Sequence, residues 1–228
     1  MKESIYTIPI SEAFETGEGC PFCRIHSRLE QHFVEYITGP AMMEPDVRIK
    51  TNEKGFCRHH YDMTLLQRNR LSVALMLQTR LDRLLGDMGK RAGRGASGAL
   101  FRKAESPAGS CFVCECVNRE FERMLANVAV VWARESDFKS LYARQEYICY
   151  PDYERIAAAA RKKLRGADQS TFLKITAKLS SGRLSELKSD IDAFCNLYDY
   201  RNAGKAPGET TAAAIENAVD YLTRKSGC

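Results

Sequence analysis

The sequence predicts an all-α fold: two metal-nucleated helical hairpins in pseudo-repeat, followed by a C-terminal helical segment. Three observations predict it. Apolar residues recur at spacings of three and four along most of the chain, and no stretch reads convincingly as a strand. Six of the nine cysteines also fall into two matching frames.

The first frame opens with Cys20 and Cys23 in CPFC; Cys57 follows 34 positions later, and His60 three beyond it, in CRHH. The second opens with Cys111 and Cys114 in CFVC, then Cys149 after 35 positions and Asp152 three beyond it, in CYPD. The offset between the frames is about ninety residues, and the neighbours correspond as well: Phe56-Cys57 with Ile148-Cys149, His60-Tyr61 with Asp152-Tyr153.

Helices are expected after each pair. Ile25, Leu29, Phe33 and Tyr36/Ile37 form one apolar stripe, and Val117, Phe121, Leu125, Val128 and Trp132 form another. From His60 a long helix is expected through Met63, Leu66, Leu71, Leu77, Leu81 and Leu84 to about Leu85. Pro151 suits the first turn of a helix continuing through the alanines 157–160 to about Leu164. Residues 170–200 read as helix broken near Ser180-Ser181-Gly182, and a short helix from about Thr210 to Arg224 ends the chain. The organisation expected is a first hairpin unit over 1–85, a basic linker over 86–110, a second unit over 111–166, and helices over 167–228 packing on the two.

Residues three apart share a helix face, so Cys57 with His60, and Cys149 with Asp152, can each converge on one point. Site one is therefore expected to be Cys20, Cys23, Cys57 and His60, a Cys3His set of the kind that closes structural zinc sites. Site two is expected to be Cys111, Cys114, Cys149 and Asp152. Cys116 is an alternative fourth ligand, though a helix turns it away from Cys114. His59 is the neighbour that competes with His60, but only the residue three beyond the cysteine matches both frames. His26 and His32 fit neither frame and are expected at the surface or the core edge. Cys195 is expected to pack in a core, and Cys228 to be exposed.

An odd count of clustered cysteines, with no apolar leader in MKESIYTIPISEAFE, points to a reducing, cytoplasmic setting and to metal ligation rather than disulfides. No window reaches the roughly 18 uninterrupted apolar residues of a membrane span. The formal net charge is +5, but residues 86–110 carry three of those charges on a Gly/Ala/Ser-rich stretch, a pattern of linkers rather than of nucleic-acid-binding surfaces. With four histidines and no phosphate loop, catalytic triad or paired carboxylates, there is little equipment for catalysis.

The runs YTIPISEAFE, CPFCRI, MMEPDVRIKTNEKGFCRHH, CFVCE and YDYRNAGK resemble an uncharacterised bacterial family, a domain of unknown function common in anaerobic Firmicutes. Its members share a duplicated C-x2-C…GFC-x2-H pattern. The resemblance implies that Cys20, Cys23, Cys57 and His60 carry over directly, whereas Asp152 stands where the family pattern tends to His.

The function expected is that of a binding or adaptor module for a protein partner, with structural zinc sites. The two rivals are an iron–sulfur electron-transfer protein and a thiol-based metal sensor or carrier. Tyr198 to Asn202, aromatic and charged in a turn region, is the candidate contact surface.

Overall fold

A computed structural model describes residues 7–92, 110–198 and 208–224. The described residues form α1 (Thr7–Glu15), α2 (Pro21–Thr38), a 3₁₀ turn (Pro40–Met43), α3 (Pro45–Lys54), α4 (Arg58–Leu65), α5 (Arg70–Ala92) and α6 (Phe112–Arg134). They continue with α7 (Ser136–Ala143), α8 (Tyr150–Lys163), α9 (Gly166–Asn196), α10 (Glu209–Ala212) and α11 (Ala214–Thr223). No strand occurs among them, and no helix is long and apolar enough to cross a membrane.

Two expected helices differ in detail. The helix foreseen from His60 to Leu85 is two helices, α4 and α5, with a turn at 66–69. The break is chemical. Asn69 accepts a hydrogen bond from the Ser72 backbone N–H (3.2 Å) through Oδ1, the N-cap arrangement, and its Nδ2 donates to the Thr38 carbonyl (2.9 Å) at the end of α2. Conversely, the break foreseen at Ser180-Ser181-Gly182 is absent, and α9 runs unbroken for 31 residues. There Ser180 is buried against the Tyr221 hydroxyl (2.7 Å), so its side chain is satisfied across the helix pair rather than by unwinding α9. Helix α5 also continues to Ala92, through the first seven residues of the foreseen linker; residues 93–109 lie outside the described residues.

Contacts divide the chain into Arg28–Glu120 and a second unit of Met1–Ser27 with Phe121–Cys228. This differs from the two consecutive hairpins expected. The boundary falls within α2 and within α6.

In Arg28–Glu120, buried Val34 and Ile37 of α2 meet Phe112, Val113 and Val117 of α6, with Leu29, Phe33, Phe56 and Met63 packed around them. Helix α3 lies on α5, where the largely buried Arg80 donates to the carbonyl oxygens of Asn52 and Glu53 (3.0 Å to the latter). It thereby satisfies the open end of α3. Gly55 follows at φ 63, the left-handed conformation that favours glycine after a helix, and aims the chain into Cys57.

In the other unit the core is aromatic. Phe14 of α1 stacks on Tyr142 of α7 (5.6 Å), Tyr142 meets Phe172 of α9 (4.9 Å), and Trp132 of α6 packs edge-on to Phe172 (5.1 Å). The Tyr142 hydroxyl is paired with Thr176 (2.9 Å), which removes the penalty of burying it. Helix α8 packs on α9, and α11 packs on both.

Candidate functional site

Four helices begin in the same way. Cys57 and Cys149 are the N-cap residues of α4 and α8, and their carbonyls accept from Tyr61 N (3.0 Å) and Tyr153 N (2.9 Å). Cys20 and Cys111 stand immediately before α2 and α6, with carbonyls accepting from Arg24 N (3.4 Å) and Glu115 N (3.1 Å). His60, Asp152, Cys23 and Cys114 each follow three residues later. An N-cap side chain and the one three beyond it lie side by side, so each helix start presents two donors in one direction. The free N–H groups and dipole there also favour thiolates.

Pairing of these four starts produces two clusters. Cys57, His60, Cys111 and Cys114 bring their ligand atoms within 4.8 Å of one another, and so do Cys20, Cys23, Cys149 and Asp152. The expected partition is therefore exchanged: the first C-x2-C meets the second C-x2-D, and the second C-x2-C meets the first C-x2-H. Hydrogen bonds outside the clusters give the reason. Phe112 N donates to the Gly55 carbonyl (3.0 Å) and Ser110 Oγ to the Lys54 carbonyl (2.7 Å), which lays the start of α6 beside the start of α4. In the other unit Gly19 N donates to Glu146, Arg24 to Gln145 (3.4 Å), and Gln145 Nε2 to the Phe14 carbonyl (2.8 Å). These lay the start of α2 beside the start of α8.

In the His60 cluster, Nδ1 of the imidazole faces all three sulfurs, at 3.1 Å from Cys57, 3.3 Å from Cys111 and 3.3 Å from Cys114; Cys57 and Cys114 sulfurs are 3.8 Å apart. The other ring nitrogen, Nε2, points to Glu30 Oε1 at 3.4 Å. Burial alone would raise Cys111, but hydrogen bonds from His60 and from the Cys114 and Cys57 backbone outweigh it and bring the thiol down to about 6. His60 is the reciprocal case: burial opposes its charge, yet Cys111 and Glu30 lift it to about 10. Cys114 is pushed up by burial and by the neighbouring Cys111.

In the Asp152 cluster, Cys149 Sγ lies 3.7 Å from Cys20, 3.6 Å from Cys23 and 3.1 Å from Asp152 Oδ2. All four residues are buried, Asp152 completely. Burial pushes Cys20 up, but hydrogen bonding with Cys149 and Cys23 outweighs it and its pKa falls well below the ordinary thiol value. Cys149 moves the opposite way, raised by its bonds to Cys20 and Cys23 and then by burial. Arg224, at the end of α11, caps the carboxylate from outside, with Nη2 on Oδ1 and Nε on Oδ2.

The remaining candidates separate cleanly. Cys116 is buried in the apolar cluster with Arg119 Nη2 at 3.7 Å and belongs to neither site. Cys195 is exposed, contrary to the expected core position, in the last turns of α9, where no residue from 188 to 198 is buried among the described residues. Cys228 lies outside the described residues, as do Asp199 to Asn202 of the expected contact surface; Tyr198 is exposed beside Phe194 (5.5 Å). His26 rests edge-on to Phe121 and His32 beside Phe33. His59 is half-exposed, 3.6 Å from Glu30 and edge-on to His60. Glu30 and Arg224 were missed by the sequence analysis, and neither position carries a sequence signal: each is brought to its cluster only by packing of distant elements.

This is an all-α protein with two separate cysteine-rich clusters, each of which could hold a metal ion. The chain belongs to a family of unknown function (DUF6062), whose pattern matches residues 1–227. No curated protein and no solved structure matches it.

Proposed function

We propose that the protein is a cytoplasmic zinc-binding module that presents its helical surfaces to a protein partner, with one zinc in each cluster. What supports zinc is the sulfur spacing. A tetrahedral ion with bonds to sulfur of about 2.3 Å puts its sulfurs about 3.8 Å apart. The separations are 3.6–3.8 Å. An iron–sulfur cluster interposes several irons and sulfides between the thiolates and holds them farther apart, so the same spacing argues for a single ion. The ligands would be Cys57, His60, Cys111 and Cys114 in one site and Cys20, Cys23, Cys149 and Asp152 in the other.

The two sites derive from one duplicated unit that has exchanged halves. The shared placement of one ligand immediately before the helix and a second three residues on, at all four helix starts, supports this. Structural zinc in finger peptides supplies on the order of 10 kcal/mol of apparent binding energy, which suits sites that pin together helices from distant parts of the chain.

A second reading, that of a metal carrier, draws support from exposure. Cys57 and Cys114 are only partly buried, whereas every member of the Asp152 cluster is buried. Exchange would then be confined to the His60 cluster.

The test is elemental analysis with an absorption spectrum on protein purified anaerobically without added metal. Two zinc ions per colourless chain are expected. A brown protein containing iron and sulfide overturns the proposal. Rapid loss of one zinc of the two to a mild chelator favours the carrier reading.

A further inference from the structure

The Asp152 cluster has a cationic outer partner, where the His60 cluster has an acidic one in Glu30. Arg224 meets Asp152 with two nitrogens on two oxygens, Nε lying 3.3 Å from Oδ2, and the carboxylate has no solvent exposure while the guanidinium side chain has 16%. The guanidinium also sits over the Phe121 ring, 5.2 Å from its centre, held between an aromatic face and the acid. Its backbone is unusual: Arg224 is the one non-glycine residue with positive φ (73°) among the described residues. Helix ends that turn this way favour glycine, so the chain adopts a rarely populated conformation at the residue that delivers this side chain.

Charge explains what such a group would do. A divalent ion held by three thiolates and a neutral imidazole carries one net negative charge. Replacing the imidazole by a carboxylate makes it two, in a fully buried place where uncompensated charge is costly. One largely buried guanidinium offsets one of the two negative charges of the Asp152 cluster.

We infer that Arg224 is a positioning residue for the Asp152 metal site, which orients the carboxylate, offsets the second negative charge and ties occupancy of the site to seating of the C-terminal helix α11. This rests on the zinc reading above. Linkage makes the effect reciprocal: metal in the site holds α11 down, and a seated α11 strengthens the site. Another buried tie of α11, the Tyr221 hydroxyl donating to the Ser180 carbonyl (2.9 Å), fixes the same helix to α9.

The experiment is hydrogen exchange by mass spectrometry on the full chain, zinc-loaded and chelator-stripped, following α11 (214–223) and α8 (150–163), for wild type, Arg224→Gln and Arg224→Lys. Zinc affinities are measured in parallel by chelator competition, with Cys57→Ser identifying the release step of the His60 site. In wild type, zinc is expected to slow exchange in α11. In Arg224→Gln, α11 is expected to exchange fast even when zinc-loaded while α8 stays protected, and affinity at the Asp152 site to fall roughly 10–100-fold with the His60 site unchanged. Arg224→Lys, which keeps the charge and loses the fork, should recover part of that affinity. Two bound zincs with unchanged affinity and a protected α11 in Arg224→Gln would overturn the role of Arg224 alone. A lysine variant no better than glutamine overturns the charge argument. Wild-type protein that binds no zinc overturns the metal reading itself, and with it this inference, before any variant is compared.

Discussion

The exchange of half-sites has a consequence that stoichiometry can read. In the structure Cys23 shares a cluster with Cys149, and Cys57 with Cys114. The double substitution Cys23→Ser, Cys149→Ser therefore damages one site twice and leaves the other intact, whereas Cys23→Ser, Cys57→Ser damages both sites once. Three sulfur contacts of 3.6–3.8 Å define which thiols share an ion, and no cysteine belongs to both groups. A structural zinc bound with about 10–16 kcal/mol at neutral pH corresponds to a Kd between tens of nanomolar and picomolar, so an intact site stays filled through desalting at micromolar protein. The expected zinc content is two per chain for wild type, one for the Cys23/Cys149 pair and none for the Cys23/Cys57 pair after brief exposure to a strong chelator. Mass-spectrometric metal analysis on folded, helical protein reads this directly. The opposite pattern, none for Cys23/Cys149 and one for Cys23/Cys57, would refute the exchanged pairing and restore two consecutive hairpins.

Glu30→Gln should weaken only the His60 site, by roughly 10–100-fold in chelator competition, because the carboxylate behind Nε2 fixes the ring with Nδ1 toward the sulfurs. Zinc affinity at that site should rise with pH: His60, lifted to about 10, and Cys114, also raised, both hold protons at neutral pH that metal must displace. Displacing these two protons alone gives a rise of at least about a hundredfold per pH unit around neutrality, and calorimetry in buffers of different ionisation enthalpy should detect their release; a flat profile would contradict it. Trp132→Ala should cost about 3–5 kcal/mol in urea unfolding followed by circular dichroism, since the indole is buried edge-on to Phe172. Trp132→Phe should cost much less, because the indole Nε1 has no hydrogen-bond partner among the described residues.

Much of this protein was legible in the sequence because its signals are local. The stripes Ile25-Leu29-Phe33-Ile37 and Val117-Phe121-Leu125-Val128 give α2 and α6, since a 3.6-residue period needs nothing beyond the chain itself. Pro151 and the N-cap cysteine before it give the start of α8 for the same reason. Helix breaks were read less well. Ser180-Ser181-Gly182 has weak propensity but is overruled by the Tyr221 contact, while the turn at Asn69 depends on a carbonyl 31 positions away.

The sequence alone determined that the chain is helical and that eight candidate donor residues stand in pairs at helix starts. Two frames of nearly equal spacing supply four half-sites, and spacing is satisfied equally well by joining neighbours or by exchanging them. Only the tertiary structure decided between these. The bonds from Phe112 to Gly55 and from Gly19 to Glu146 lay the helix starts side by side, and such contacts between distant segments leave no periodic trace. Glu30 and Arg224 belong to the same class: each is an ordinary charged residue until folding sets it against a buried group of opposite or titratable charge.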